Sequence, residues 1–174
     1  MLMNSEVLFS DKEISARIKE LAKEISLWTK SLSNPIYLLW LAEGSFIFVA
    51  DLVREINADI RIVSLRTSSY GNELSSSGKV SVWGDFSQFS EKSVLLIDDI
   101  FDTGLTLKTI IDQLKHSGAK DVKTCVLLNK VSTPKKTSKP DFVGFDIPDK
   151  YVYGYGLDCA GKYRHLKDIK YINQ

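Results

Sequence analysis

The sequence predicts an α/β fold: a central parallel sheet flanked by helices, with a small C-terminal hood over about residues 140–174. Three observations carry that prediction. Strand-like runs alternate with helical patterns from residue 36 to 128, the run Ile36 to Leu41 is apolar on both faces, and turn residues such as Asn34-Pro35 and Gly44-Ser45 separate the elements. Strands buried on both sides belong in a parallel sheet, whose neighbours need right-handed crossovers. The chain has 174 residues, a length that fits one domain spanning 1–174.

Ser10-Asp11-Lys12-Glu13 has the S-x-x-E form of a capping box, and Ile14, Ile18, Leu21, Ile25, Trp28 and Leu32 follow at helical spacing. Asn34-Pro35 ends this helix, and Ile36 to Leu41 reads as the first strand. Gly44-Ser45 leads into a helix expected to bury Phe46, Val49, Ala50 and Val53. A second strand spans about Ile60 to Leu65. From Thr67 to Gly78 the composition turns to Ser, Gly, Asn and Glu, which reads as a mobile loop before an antiparallel return strand near Lys79. Ser93 to Ile97 is a third strand, and about Thr106 to His116 a helix turning Leu107, Ile110, Ile111 and Leu114 inward until Gly118 stops it. Val122 to Leu128 and Phe142 to Phe145 complete the sheet.

Composition excludes several classes of function. Hydrophobic residues at 44% and charged residues at 26% describe a globular chain with a core, not a disordered one. Lys plus Arg number 23 against 22 Asp plus Glu, so no broad positive face is available for a nucleic-acid backbone. Cys125 and Cys159 have no metal-ligand or redox spacing and read as two reduced thiols. No basic-then-apolar leader is evident at the N-terminus, and the run Ile36 to Ala42 is too short for a bilayer, so a cytoplasmic protein without membrane partners is expected.

The chemistry concentrates in Val94-Leu95-Leu96-Ile97-Asp98-Asp99-Ile100-Phe101-Asp102-Thr103-Gly104-Leu105-Thr106. A buried strand runs into two adjacent carboxylates, a third carboxylate, a Thr-Gly-x-Thr turn and a helix. The carboxyl end of a parallel strand is where open α/β sheets bind ligands. Amides of residues 103 to 106, the hydroxyls of Thr103 and Thr106 and the helix N-terminus can hold one phosphate, and Gly104 permits close approach or a positive φ. Asp98 and Asp99 suit paired ribose hydroxyls, or a metal bridging to them. Without Gly-Lys-Ser/Thr or G-x-G-x-x-G, neither a Walker loop nor a dinucleotide fingerprint is present.

This segment resembles the phosphoribosyl pyrophosphate motif of the type I phosphoribosyltransferases. Ser68-Ser69-Tyr70-Gly71 is similar to their flexible catalytic loop, and Lys139 to Val152 to the hood of hypoxanthine-guanine phosphoribosyltransferases. The resemblance implies that Asp98 and Asp99 contact the ribose, that Asp102 to Thr106 hold the 5′-phosphate, and that Asp102 transfers a proton at purine N7. It further implies that Lys130 donates to the 6-oxo group, Tyr151 stacks on the purine and Val152 offers backbone groups to its edge. Magnesium would be the cofactor, with Asp98, Asp99 and Asp158 as metal-linked carboxylates and Arg164 at the pyrophosphate. His116 and His165 read as structural.

Two positions depart from the family. Asp98 stands where Glu is common, and Glu43 stands beside Gly44 in the pyrophosphate loop, where a lysine is usual. That loop is expected to act through its backbone, Gly44 included, with a cis peptide between Ala42 and Glu43 and the Glu43 side chain pointing away. The activity implied is conversion of hypoxanthine or guanine and phosphoribosyl pyrophosphate to the nucleoside monophosphate and pyrophosphate, in a homodimer or homotetramer. Two alternatives stand beside it: a phosphoribosyl-pyrophosphate-binding regulator of transcription or RNA, and an enzyme of the same class with a preference for xanthine or another base.

Overall fold

In the computed structural model, which describes residues 5–41, 43–68, 81–83, 85–133, 136 and 139–172, twelve strands and helices follow one another. They are β1 (Ser5–Phe9), α1 (Asp11–Thr29), β2 (Ile36–Leu41), α2 (Phe46–Glu55), β3 (Ile60–Ser68), β4 (Ser81–Trp83), β5 (Ser93–Phe101), α3 (Leu105–His116), β6 (Asp121–Lys130), β7 (Phe142–Ile147), β8 (Val152–Tyr153) and β9 (Ile169–Ile172). The main sheet has the order β4-β3-β2-β5-β6-β7, parallel from β3 to β7 with β4 antiparallel at one edge.

Alternation along the apolar strands sends two sets of side chains to the two faces of this sheet. Leu38, Leu95, Ile97, Cys125 and Leu127 face Ile14, Ile18, Leu21 and Ile25 of α1 and Phe48, Val49 and Leu52 of α2. Leu39, Val94, Leu96 and Val126 face Leu107, Ile110 and Leu114 of α3. The helices therefore lie on both faces, as the doubly apolar strands require. The capping box is formed in full, since the Glu13 amide donates to Ser10 Oγ and the Ser10 amide donates to the Glu13 carboxylate at 2.8 Å. Arg17 covers the edge strand, donating from Nε to the Gly144 carbonyl at 2.8 Å and from Nη2 to that of Val143 at 2.7 Å.

The structure changes the expected map in four places. Phe46 and Ala50 of α2 are exposed, and its buried face is Phe48, Val49 and Leu52. Every residue from Phe46 to Val49 is apolar, so composition did not define the helix phase. Thr67 and Ser68 belong to β3, with Ser68 paired to Ser81, while the rest of the expected loop, including Ser69, Tyr70 and Gly71, lies outside the described residues. The expected last strand, Phe142 to Phe145, is present and runs on to Ile147 as the edge strand β7, so this part of the chain belongs to the main sheet and not to the hood. Finally, a second sheet of order β1-β9-β8 joins the two ends of the chain, with Ser5 opposite Ile172 and Val152 opposite Tyr171.

Candidate active site

The chain leaves β2 towards β3 on one side and passes from β5 towards β6 on the other. The loops after β2 and β5 therefore face each other at the switch point of the sheet, where a crevice forms at the carboxyl ends of the strands. Pairing between β2 and β5 stops at Trp40 and Ile97, whereas β5 continues along β6 to Phe101. Asp98 and Asp99 project from this overhang. The two segments meet closely: a Cβ at Gly44 would fall 1.7 Å from Asp99 Oδ2.

Asp98 Oδ1 accepts from the Asp99 amide at 3.0 Å, and Asp99 Oδ1 accepts from the Ile100 amide at 2.9 Å. Burial, reinforced by the neighbouring Asp99, holds the Asp98 carboxyl well above the usual carboxylate range. Such a pair needs a cation or a set of hydroxyl donors to carry its full charge. Beyond it Gly104 adopts φ 79° and ψ 4° as the N-cap of α3, a left-handed geometry that costs glycine nothing. No N-cap side chain covers the first turn of α3, which has no acidic residue, so its amides can address an anion. Thr103 Oγ1 accepts from the Leu105 amide at 3.4 Å, which fixes the turn, and Thr106 begins the helix beside Leu105.

Asp102 lies between two elements. Its Oδ1 accepts from Thr133 Oγ1 at 2.6 Å, and its Oδ2 is 3.4 Å from Lys130 Nζ. Lys130, at the end of β6, is mostly buried and donates to Asp149 Oδ1 at 2.8 Å. Burial alone would lower its pKa, but Asp149 and Asp102 outweigh it and hold the ammonium above the ordinary lysine range. Thus a donor and an acceptor stand side by side, suited to a planar ligand carrying both functions. Tyr151 is 48% exposed, its hydroxyl donating to the Asp158 carbonyl at 3.3 Å, and burial with the nearby Cys159 raises its phenol pKa. Val152 is buried and paired in β8.

A third group stands beside Gly44. Arg164 Nη1 donates to the Gly156 carbonyl at 2.7 Å, and Nη2 lies 3.0 Å from Asp158 Oδ1 and 3.5 Å from Glu43 Oε2. Glu43 therefore turns its carboxylate to Arg164, against the expectation that it points away. The reason is electrostatic: the guanidinium attracts the carboxylate. The Ala42–Glu43 peptide lies outside the described residues. Gly156 has φ 99°, and a Cβ there would come within 2.2 Å of the Gly44 carbonyl oxygen, so the hood presses directly on the loop after β2.

The expected metal set is divided. Asp98 and Asp99 sit together, but Asp158 is paired with Arg164 and accepts from the Gly161 amide at 2.8 Å. Among the described residues no three acidic, His or Cys side chains are grouped to hold a metal. The donors are oxygens only, in a number too small for an all-protein cage. That fits magnesium, which keeps waters and binds through one or two carboxylates plus ligand phosphates. Sequence reasoning missed Thr133 and Asp149. Neither belongs to a periodic segment, and only the fold brings them to Asp102 and Lys130.

A family model for the phosphoribosyl transferase domain matches residues 6–159. This chain belongs to the phosphoribosyl transferase domain family. Among its phosphoribosyltransferase relatives, the hypoxanthine-guanine phosphoribosyltransferase of Aquifex aeolicus is 43% identical over 94% of this chain and 92% of its own length. The corresponding enzyme of Bacillus subtilis is 39% identical over 94% and 91%, and the hypoxanthine phosphoribosyltransferase of Escherichia coli 38% over 94% and 93%. A solved structure of hypoxanthine phosphoribosyl transferase from Trypanosoma cruzi matches with a TM-score of 0.89 and 36% identity, covering 99% of this chain and 94% of that one. A hypoxanthine-guanine phosphoribosyltransferase from Bacillus anthracis matches with a TM-score of 0.86 and 36% identity, over 97% of this chain and 98% of its own.

Proposed function

We propose that the protein is a purine salvage phosphoribosyltransferase, forming IMP or GMP and pyrophosphate from hypoxanthine or guanine and phosphoribosyl pyrophosphate. The observation that carries this reading is the adjacency of Asp102 and Lys130, 3.4 Å apart at the ends of β5 and β6. A 6-oxopurine presents an N7 proton and a 6-oxo acceptor on one edge, and this pair is the complement of that edge. Adenine, with a 6-amino donor, would oppose one donor to another. The relatives named above carry the same reaction class in their names.

The residues then take these roles. Amides of Thr103, Gly104, Leu105 and Thr106 hold the 5′-phosphate at the start of α3, while Asp98 and Asp99 accept from the ribose hydroxyls. Gly44 lends backbone beside Asp99, and Arg164 steadies the departing pyrophosphate. Lys130 donates to the 6-oxo group, Tyr151 covers the ring face and Val152 addresses its edge. As N9 forms its bond to C1′ and the C1′–O pair leaves with pyrophosphate, the N7 proton passes to Asp102. Magnesium, held by Asp98 and Asp99 with the substrate's own oxygens and linked to Asp158, would supply neutralising charge for the leaving group.

The assignment extends to the whole chain as one phosphoribosyltransferase domain, 1–174. We further propose a cytoplasmic enzyme, since Cys125 and Cys159 are free thiols, and a homodimer or homotetramer, supported by exposed Leu27 on α1 and Phe46 on α2. Among the described residues no helix is long and apolar enough to cross a membrane.

Incubation with magnesium, phosphoribosyl pyrophosphate and each of hypoxanthine, guanine, xanthine and adenine tests the reading. Nucleotide should form with hypoxanthine or guanine and not with adenine. Product from xanthine alone would move the base assignment, and no product from folded protein that still binds phosphoribosyl pyrophosphate would favour the regulator.

A further inference from the structure

Opposite charges 3.4 Å apart in a half-buried site should close to a direct charge-assisted hydrogen bond of about 2.7–2.9 Å. Asp102 and Lys130 do not. Each is instead drawn away by a partner of its own: Thr133 Oγ1 donates to Asp102 Oδ1 at 2.6 Å, and Lys130 Nζ donates to Asp149 Oδ1 at 2.8 Å. We infer that Thr133 is a positioning residue, whose hydroxyl holds Asp102 off Lys130 so that both remain open to the purine. The inference rests on the proposed function and adds to it a residue outside the motif of β5.

Thr133 is itself fixed. The turn that carries it leaves β6 with the Val131 amide donating to the Ile147 carbonyl at 2.9 Å. On its far side Lys136 Nζ donates to Asn129 Oδ1 at 2.6 Å and stands 5.0 Å from the centre of the Phe101 ring, next to Asp102. The turn is thus tied to β6, β7 and the end of β5. An ionised carboxylate accepts only, and a hydroxyl has one proton to give, so the contact defines a single direction. With Thr133 spending that proton on Oδ1, Oδ2 is the oxygen left towards Lys130 and the incoming N7 proton. Without the hydroxyl, Asp102 would rotate onto Lys130, and the base would have to break an ion pair before it could bind productively.

The test compares the intact protein with Thr133→Val and Thr133→Ser under saturating phosphoribosyl pyrophosphate and magnesium. Losing one hydrogen bond of this kind should lower kcat with hypoxanthine by about three- to tenfold in Thr133→Val. KM for phosphoribosyl pyrophosphate should stay unchanged, because the 5′-phosphate turn is not touched. Thr133→Ser keeps the hydroxyl and should retain kcat. A Thr133→Val protein with the parent's kcat, or a Thr133→Ser protein as slow as Thr133→Val, would overturn the inference. The parent protein serves as the control for the function itself: if it forms no nucleotide, the functional reading falls and this inference with it. Should Thr133→Val fail to fold, Thr133→Ser against Thr133→Ala gives the same decision.

Discussion

Glu43 occupies a position where the family's usual lysine would add a positive charge, and it faces Arg164 at 3.5 Å. The Glu43 side chain is 82% exposed, so the ion pair contributes little to stability, on the order of 0–1 kcal/mol. Its consequence falls on binding. In the proposed reaction, pyrophosphate approaching Arg164 would meet two carboxylates already there, Glu43 and Asp158. Glu43→Lys removes one competitor and adds a cation, so KM for phosphoribosyl pyrophosphate and the inhibition constant of pyrophosphate should both fall, by about three- to tenfold for roughly 1 kcal/mol. KM for hypoxanthine should stay as it is. Steady-state kinetics in both directions read this, and unchanged values for both phosphate ligands would remove Glu43 from the site. At this scale the sequence was legible in the placement of Asp98 to Thr106, which run from the end of β5 into the start of α3. It was not legible where a side chain's direction depends on a partner 121 residues away, as for Glu43 and Arg164.

At the scale of elements, the strands β2, β5 and β6 were readable because each carries a buried apolar run, Ile36 to Leu41, Val94 to Ile97 and Cys125 to Leu128. The hood was harder. β1, β8 and β9 are five, two and four residues long, and each makes sense only once the two ends of the chain pair. The phase of α2 was missed because its first four residues are all apolar. What the hood does for the site rests on Gly156, whose left-handed φ and contact with the Gly44 carbonyl leave no room for a side chain. A non-glycine residue in a strained φ costs about 1–3 kcal/mol, and Gly156→Ala adds a clash. In a chain of this size such a loss lowers Tm by about 2–4 °C per kcal/mol. Gly156→Ala should therefore lower Tm by several degrees and weaken phosphoribosyl pyrophosphate binding, because the loop beside Asp99 must shift. Calorimetry and titration read the two effects, and a variant matching the parent in both would deny the hood this role.

Across the whole molecule, the net charge of +1 conceals a site that is acidic on balance. Asp98, Asp99, Asp102, Asp149, Asp158 and Glu43 stand against Lys130 and Arg164 around one crevice. A ligand with a phosphate and a pyrophosphate cannot be held there by side-chain charge. It needs the amides of the first turn of α3 and an added cation, and this is why the proposed reaction depends on magnesium. The near-neutral total charge thus leaves room for a highly charged small ligand. The central claim is base-dependent transfer at C1′, which pyrophosphate release measures most directly. With phosphoribosyl pyrophosphate, magnesium and hypoxanthine, pyrophosphate should appear in equal amount to IMP, and a chelator should stop both. Pyrophosphate released at the same rate without any base, or none released by folded protein in the presence of hypoxanthine and guanine, would contradict the account.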